Sequence, residues 1–187
     1  MPQSFPVLLG WWSNENKKHR HLWPGISVGR DTSARNVNEI LSQLMISRGM
    51  LPQSKGIVHW SISSLTQNPN MTNAILKGPY AKEALVPPSP WLDKKAPSPP
   101  VITTTLHNDT LTVNWTHPDQ QDVFHWVLYY KYNNSWNYVI LNRNYHSIDL
   151  QQYAPGSNPP ASLNHIAVTA VDRTGNESAL KEIEVKK

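Results

Sequence analysis

Lys55-Gly-Ile-Val-His-Trp-Ser-Ile62 places four large apolar side chains, Ile57, Val58, Trp60 and Ile62, within eight residues. Lys55-Gly56 opens the run, and Ser61, Ser63 and Ser64 carry it into a polar loop. A short β-branched and aromatic run bounded in this way reads as a strand buried on both faces. Such strands belong to parallel sheets covered by helices, and ligands meet those sheets at the C-terminal ends of the strands. His59, Trp60 and Ser61 would then look into a site. The competing reading makes all three ordinary core and edge residues.

The segments on either side fit the same architecture. Leu8, Leu9, Trp11 and Trp12 suit one broad helical face ending near Asn14 or Asn16, and Lys17-Lys-His-Arg20 is a basic turn. His21-Leu-Trp-Pro-Gly-Ile-Ser-Val28 reads as a second buried strand, in which Pro24-Gly25 removes a ladder donor and lets the backbone bend. Thr32 or Ser33 is placed to cap a helix. Val37, Ile40, Leu41, Leu44 and Met45 then keep amphipathic helical spacing, with Gly49 as terminator. After the strand at 57–62, Met71, Ile75 and Leu76 continue a helix toward Leu85, broken or kinked at Gly78-Pro79. Helix, strand, helix, strand, helix is the alternation of a parallel sheet with crossover helices. Two strands leave open edges and uncovered faces, so residues 1–85 read as a piece of a larger α/β unit.

Residues 86–100 hold six prolines in fifteen residues, an extended and semi-rigid linker. Trp91 and Leu92 within it are expected to pack on a neighbour. Beyond it the period changes to two. Leu111-Thr-Val-Asn-Trp115 alternates cleanly, and Val123 to Tyr132 forms a long strand. Trp136–Leu141, Ser147–Leu150, His165–Val171 and Ile183–Val185 complete a set, with turn signals at Asn133-Asn134 and Gly175-Asn176. Roughly seven short strands over 101–187 suit a β-sandwich with Trp115 buried.

Composition narrows the function classes. The chain has 187 residues, 16 prolines, 8 tryptophans and 2 phenylalanines. Such a tryptophan load favours flat surfaces that stack on sugars, though Trp also fills cores. Residues 1–96 carry 11 Lys and Arg against 5 Asp and Glu (net +6), and residues 97–187 carry 6 against 8 (net −2). No basic run exceeds two residues, so no nucleic-acid partner is expected. There is no cysteine, which excludes disulfides, thiolate metal sites and cysteine nucleophiles. No segment reaches membrane-spanning length, and Met1-Pro-Gln-Ser-Phe-Pro6 lacks the features of a signal peptide. His19 and His21 have no third ligand at a suitable interval, so no metal and no cofactor are expected. Asn70-Met-Thr72, Asn108-Asp-Thr110 and Asn114-Trp-Thr116 match the glycosylation pattern, which matters only in a eukaryotic secretory host.

Leu111-Thr-Val-Asn-Trp115, Trp126-Val-Leu-Tyr-Tyr130 and Ile166-Ala-Val-Thr-Ala-Val-Asp-Arg-Thr-Gly-Asn-Glu-Ser178 resemble a fibronectin type III domain over about 97–187. The first half is similar to the C-terminal end of the barrel in the bacterial glycosyl-hydrolase-like family 10. The residues that carry this are Leu8-Leu-Gly-Trp-Trp-Ser-Asn-Glu-Asn16, Arg20-His-Leu-Trp-Pro-Gly25, Gly56-Ile-Val-His-Trp-Ser61, Tyr80 and Ala84-Leu-Val-Pro-Pro-Ser-Pro-Trp-Leu-Asp93.

The resemblance implies three parts: 1–85, the last strands and helices of a (β/α)8 barrel; 86–100, the linker; and 101–187, the sandwich. His21–Val28 would be strand seven and Gly56–Ile62 strand eight. The rest of the barrel would lie upstream, making Met1 an internal position of the native chain. The parent protein would be a secreted, periplasmic or cell-envelope glycoside hydrolase acting on a polysaccharide or cell-wall glycan. The alternative is a non-catalytic carbohydrate- or protein-binding or adhesion module with the sandwich as its working part.

Glycoside hydrolysis normally needs two carboxyl groups flanking the scissile bond. Glu39, Glu83 and Asp93 read as solvated, and Glu15 precedes strand seven, off the expected site face. Asp31 follows strand seven, where it could line a subsite or cap the next helix. No acid and nucleophile can be paired, so the catalytic residues are unassigned and this chain alone is expected to be inactive; whether it is an enzyme stays open. What it can supply is a binding wall. Trp60 and Trp23 can stack on pyranose rings, while His59, His21 and Ser61 can bond hydroxyls. Alternation lets either Trp60 or the pair His59 and Ser61 face inward, and Trp60 is the expected one. Trp11, Trp12, Trp91, Trp115 and Trp126 read as core or interface residues. The apolar load of 22–28 and 57–62 also predicts self-association of 1–85 when folded alone.

Overall fold

The computed structural model describes residues 4–29, 34–53 and 56–185. The chain forms two compact units, Met1–Pro87 and Pro88–Lys187.

In the first unit, helix α1 (Phe5–Glu15) begins with a proline in its first turn, where a missing N–H costs nothing. It ends at Asn16, whose side chain takes a hydrogen bond from Arg20 N (3.1 Å) and donates one to Arg20 O (2.7 Å), closing the basic turn. Strand β1 (Gly25–Ser27) lies parallel to β2 (Val58–Trp60), with Ile26 opposite His59 and Ser27 opposite Trp60. Helix α2 (Ala34–Met50) is the crossover between them. Helix α3 (Ile62–Thr66) follows β2 directly, and α4 (Pro69–Lys77) starts on Asn68, whose side-chain oxygen accepts from Met71 N at 3.1 Å. Ile26 and Val28 pack with Ile40 and Leu44 of α2 and with Met71 and Ile75 of α4.

Several expectations are corrected here. The strand expected over His21–Val28 is only three residues long, because Pro24 cannot donate to the ladder; its carbonyl instead accepts from Val58 N at 3.1 Å. The strand over 57–62 contracts to Val58–Trp60, and Ile62 opens α3. Nor is β2 buried on both faces: Val58 is 50% exposed and Trp60 73%. A continuous apolar run cannot distinguish a strand covered twice from one covered once with an uncovered second face. Helix α4 stops at Lys77, eight residues before Leu85, where Gly78 adopts a non-helical conformation ahead of Pro79. Of the four apolar residues on the predicted face of α1, only Leu9 is buried; Leu8, Trp11 and Trp12 are exposed. Thr32 and Ser33, the expected cap of α2, lie outside the described residues.

The second unit is a sandwich of seven antiparallel strands. One sheet has the order β3 (Val101–His107), β4 (Thr110–Thr116), β7 (Ser147–Gln151). The other has the order β6 (Ser135–Asn142), β5 (His125–Tyr132), β8 (Leu163–Val171), β9 (Ile183–Glu184). Two-residue connections close the hairpins at Asn108-Asp109 and Asn133-Asn134, and Asn108 and Asn133 take the left-handed backbone that asparagine tolerates best after glycine.

Alternation sends Leu111, Val113 and Trp115 inward from one sheet to meet Trp126, Leu128, Ile166, Val168 and Ala170 from the other. The Trp115 and Trp126 rings meet edge to face at 6.2 Å, and Trp126 Nε1 donates to Arg143 O at 3.1 Å. This is a two-sheet antiparallel sandwich with Trp115 in its core.

The proline-rich stretch from Pro88 onward lies along this sandwich. Ser89 N donates to Thr174 O at 2.8 Å, Pro97 and Pro100 are buried, and Ser98 O meets His117 Nε2 at 2.8 Å. Trp91 is half-buried, while Leu92 stays exposed.

Candidate functional site

The first unit has one covered and one open sheet face. Ile26, Val28 and His59 project toward the helices, whereas Gly25, Ser27, Val58 and Trp60 sit on the opposite, open side. Successive strand residues point to opposite faces, so this division follows directly from the pairing register. Trp60 therefore offers its indole on the open face beside Ser27, at the C-terminal ends of two parallel strands. Its carbonyl accepts from Val28 N at 3.0 Å, which extends the ladder by one bond. The Trp60–Ser61 peptide is cis.

His59 and Trp60 thus separate as alternation requires. His59 is half-buried on the helix side, where its Nε2 meets the Tyr80 hydroxyl at 2.8 Å and its ring meets that of Tyr80 edge-on at 5.7 Å. Burial holds the His59 pKa below the ordinary imidazole value, so the ring is neutral at neutral pH. Burial likewise raises the Tyr80 hydroxyl, against the opposing pull of the Arg48 guanidinium. Arg48 sits over the Tyr80 ring at 5.6 Å and donates to Pro79 O at 2.7 Å.

Ser61 precedes α3, and its hydroxyl bonds those of Ser63 (2.8 Å) and Ser64 (3.4 Å) instead of capping the helix. Trp23 is 43% exposed and stacks on His21, with ring centroids 5.4 Å apart and 11° between planes. Its indole rests against the backbone of Gly56. Asp31 lies outside the described residues. The structure therefore brings Trp60 and Ser61 together at the strand end, turns His59 away from the open face, and seats Trp23 on the segment that leads into β2.

Sequence reasoning did not single out Ser27, which the register sets beside Trp60, or Arg48, which steadies Tyr80. The alternation Gly25-Ile26-Ser27 holds the signal for Ser27; no local pattern holds one for Arg48. Among the described residues, no group of three His, Asp or Glu could hold a metal ion, and no helix is long and apolar enough to cross a membrane.

No protein-family model matches the chain. It is similar to the glycosyl hydrolase YngK of Bacillus subtilis (strain 168), with 30% identity over 186 residues, covering 94% of this chain and 36% of that protein. The chain thus spans about a third of the length of this curated relative. Among solved structures, the spore cortex lytic enzyme SleM of Clostridium perfringens aligns over 98% of this chain and 76% of its own, with 13% identity and a TM-score of 0.40. An FN3 domain of human collagen XX aligns over 55% of this chain and 100% of its own, with 13% identity and a TM-score of 0.38. An Fn3-like protein from Clostridium thermocellum aligns over 49% and 94%, with 17% identity and a TM-score of 0.36.

Proposed function

We propose that residues 1–85 are the C-terminal wedge of a (β/α)8 barrel, that 86–100 link it to the fibronectin type III-like sandwich at 101–187, and that the parent protein is a secreted glycoside hydrolase acting on a polysaccharide or cell-wall glycan. The observation that carries this reading is the split between the two faces of the β1–β2 sheet. Helices cover Ile26 and Val28, while Val58 and Trp60 stay exposed. In a closed barrel the helix-covered side faces outward and the open side faces the interior, with ligands at the C-terminal strand ends.

The similarity to part of a glycosyl hydrolase supports the same assignment. Trp60 then forms part of the wall that stacks on a sugar ring, with Ser27 and Ser61 within the same strand-end region to bond hydroxyls. Asp31 remains a proposed subsite residue, Trp23 supports the segment that leads into β2, and His59 holds the wall from its helix side. The acid and nucleophile come from earlier barrel strands, and this chain alone binds without cleaving.

A second reading makes the sandwich the working part, as a carbohydrate- or protein-binding module. It is favoured by Trp136, exposed on β6 with Lys131 Nζ 5.6 Å from its ring centroid.

Titration of the chain with tetrasaccharides of glucose, N-acetylglucosamine and galacturonate, followed by tryptophan fluorescence, separates the two. Quenching that Trp60→Ala weakens about tenfold, the order of one lost stacking contact, while Trp136→Phe leaves it intact, supports the barrel wall. The reverse pattern favours the sandwich, and no response to any of the three removes the glycan-wall reading for these sugars.

A further inference from the structure

We propose that Arg48, Tyr80 and His59 form a proton-sensitive latch that holds the C-terminal end of β2, and with it Trp60, in place. The strand is only three residues long, so its few anchors matter. On the β1 side they are the parallel pairing of Gly25–Ser27 with Val58–Trp60 and the flanking bonds from Val58 N to Pro24 O and from Val28 N to Trp60 O. On the helix side stands the contact between His59 Nε2 and the Tyr80 hydroxyl. Tyr80 is itself held at three points: its N–H donates to Ile75 O at 2.9 Å, Arg48 sits over its ring, and Arg48 binds the carbonyl of the preceding Pro79. Three residues thereby tie α2, the exit of α4 and β2 to one another.

The second nitrogen of His59 makes the latch sensitive to protons. Nδ1 is inaccessible to solvent and meets no hydrogen-bonding group among the described residues. With the ring neutral and its proton on Nε2, which donates to Tyr80, Nδ1 is a bare lone pair, the cheaper of the two unmet states. Proton uptake would create a buried Nδ1–H with no acceptor, together with an unpaired positive charge. Among the described residues, the elements packed around it carry little negative charge. Strand β1 and helix α3 carry no titratable side chain, and α4 carries only Lys77. Helix α2 sends Arg48, and its single carboxylate, Glu39, holds Gln43, nine residues from Arg48. Lys82 and Glu83, just beyond Tyr80, are exposed. The imidazolium must therefore leave its seat, which frees the strand end.

The anchoring stands apart from the proposed glycan reading; only its consequence, weaker sugar stacking in acid, rests on it. Amide hydrogen exchange of the full chain, without sugar, tests the latch independently of any ligand. Corrected for intrinsic rates, opening of β2 should rise as pH falls from ~7.5 to ~5, the direction linkage requires for an imidazole whose folded pKa lies below the ordinary ~6.5. His59→Gln, which can bond Tyr80 but cannot titrate, should abolish that dependence, whereas His21→Gln should keep it. Unchanged β2 protection in the parent chain, or an equal acid response in His59→Gln, overturns the proposal. Should the Gln variant not fold, NMR titration of His59 decides. A midpoint below the ordinary imidazole value supports the latch, and one at or above that value ends it.

Discussion

Trp23 and Gly56 are in a contact that only a glycine permits. A Cβ at position 56 would lie 2.5 Å from the indole Nε1, 2.6 Å from Cδ1 and 2.8 Å from Cε2. The segment leading into β1 is thus seated directly on the backbone that leads into β2. Gly56→Ala is expected to destabilise the first unit by about 1–3 kcal/mol, the usual cost of overpacking. Chemical denaturation followed through amides of β1 and β2 measures this. In a Trp23→Ala background the same substitution should cost much less, since the clashing ring is gone. Equal costs in both backgrounds would show that the contact carries no energy.

Uncovered apolar surface on the first unit predicts association. Val58 and Trp60 are exposed on β2, Ile62 at the start of α3, and Val7, Trp11 and Trp12 on α1. Residues 1–85 prepared alone should sediment as concentration-dependent oligomers, and Val58→Lys with Trp60→Ser should shift them toward monomer. A monomer in dilute sedimentation, with protected amides in both strands, would sink the idea.

In the sandwich, Asp172 organises the turn after β8. Its Oδ1 accepts from Thr174 N (2.7 Å), Thr174 Oγ1 (2.9 Å) and Asn176 N (2.9 Å), and its Oδ2 from Asn176 Nδ2 (2.9 Å). Burial alone would raise this carboxyl, but the bonds from Asn176 and Thr174 outweigh it and hold the pKa below the usual carboxylate value. A depressed folded pKa contributes stability above the unfolded value, ~3.9, and loses it as pH falls through the folded value. Asp172→Ala should cost about 1–3 kcal/mol at neutral pH, because two backbone N–H groups lose their acceptor. The gap between parent and variant melting temperatures should narrow below pH ~4.

Tyr129 donates to Glu177 Oε1 at 2.7 Å, and Thr169 Oγ1 donates to the same oxygen. Burial, then the bond to Glu177 and its negative charge, push the Tyr129 hydroxyl far above the ordinary tyrosine value. Its neutral form therefore contributes stability below the unfolded pKa, ~10, that is lost as pH rises through the folded one. Ultraviolet titration should find at least one fewer tyrosine ionising near pH ~10–11 in the parent chain than after alkaline unfolding. Glu177→Gln should lower the midpoint of Tyr129, and an unchanged midpoint would exclude the carboxylate as a cause.

What the sequence determined by itself is what depends on neighbours in the chain. Leu111-Thr-Val-Asn-Trp115 announced its strand and its buried face because alternation is a property of five consecutive residues. The turns at Asn108-Asp109 and Asn133-Asn134 arise from asparagine's tolerance of left-handed backbone, and the end of α4 from Gly78-Pro79. That His59 and Trp60 take opposite faces of β2 also follows from period two. Tertiary structure decided the rest. An apolar run such as Ile57–Ile62 does not record whether one or both of its faces are covered, since that depends on chain segments far away. The bond from His59 to Tyr80 joins residues 21 apart, and the Pro79 carbonyl held by Arg48 lies 31 residues from it. No periodicity spans such separations; only the packing of α2 and α4 against one face of the β1–β2 sheet brings those groups together and leaves Trp60 open on the other.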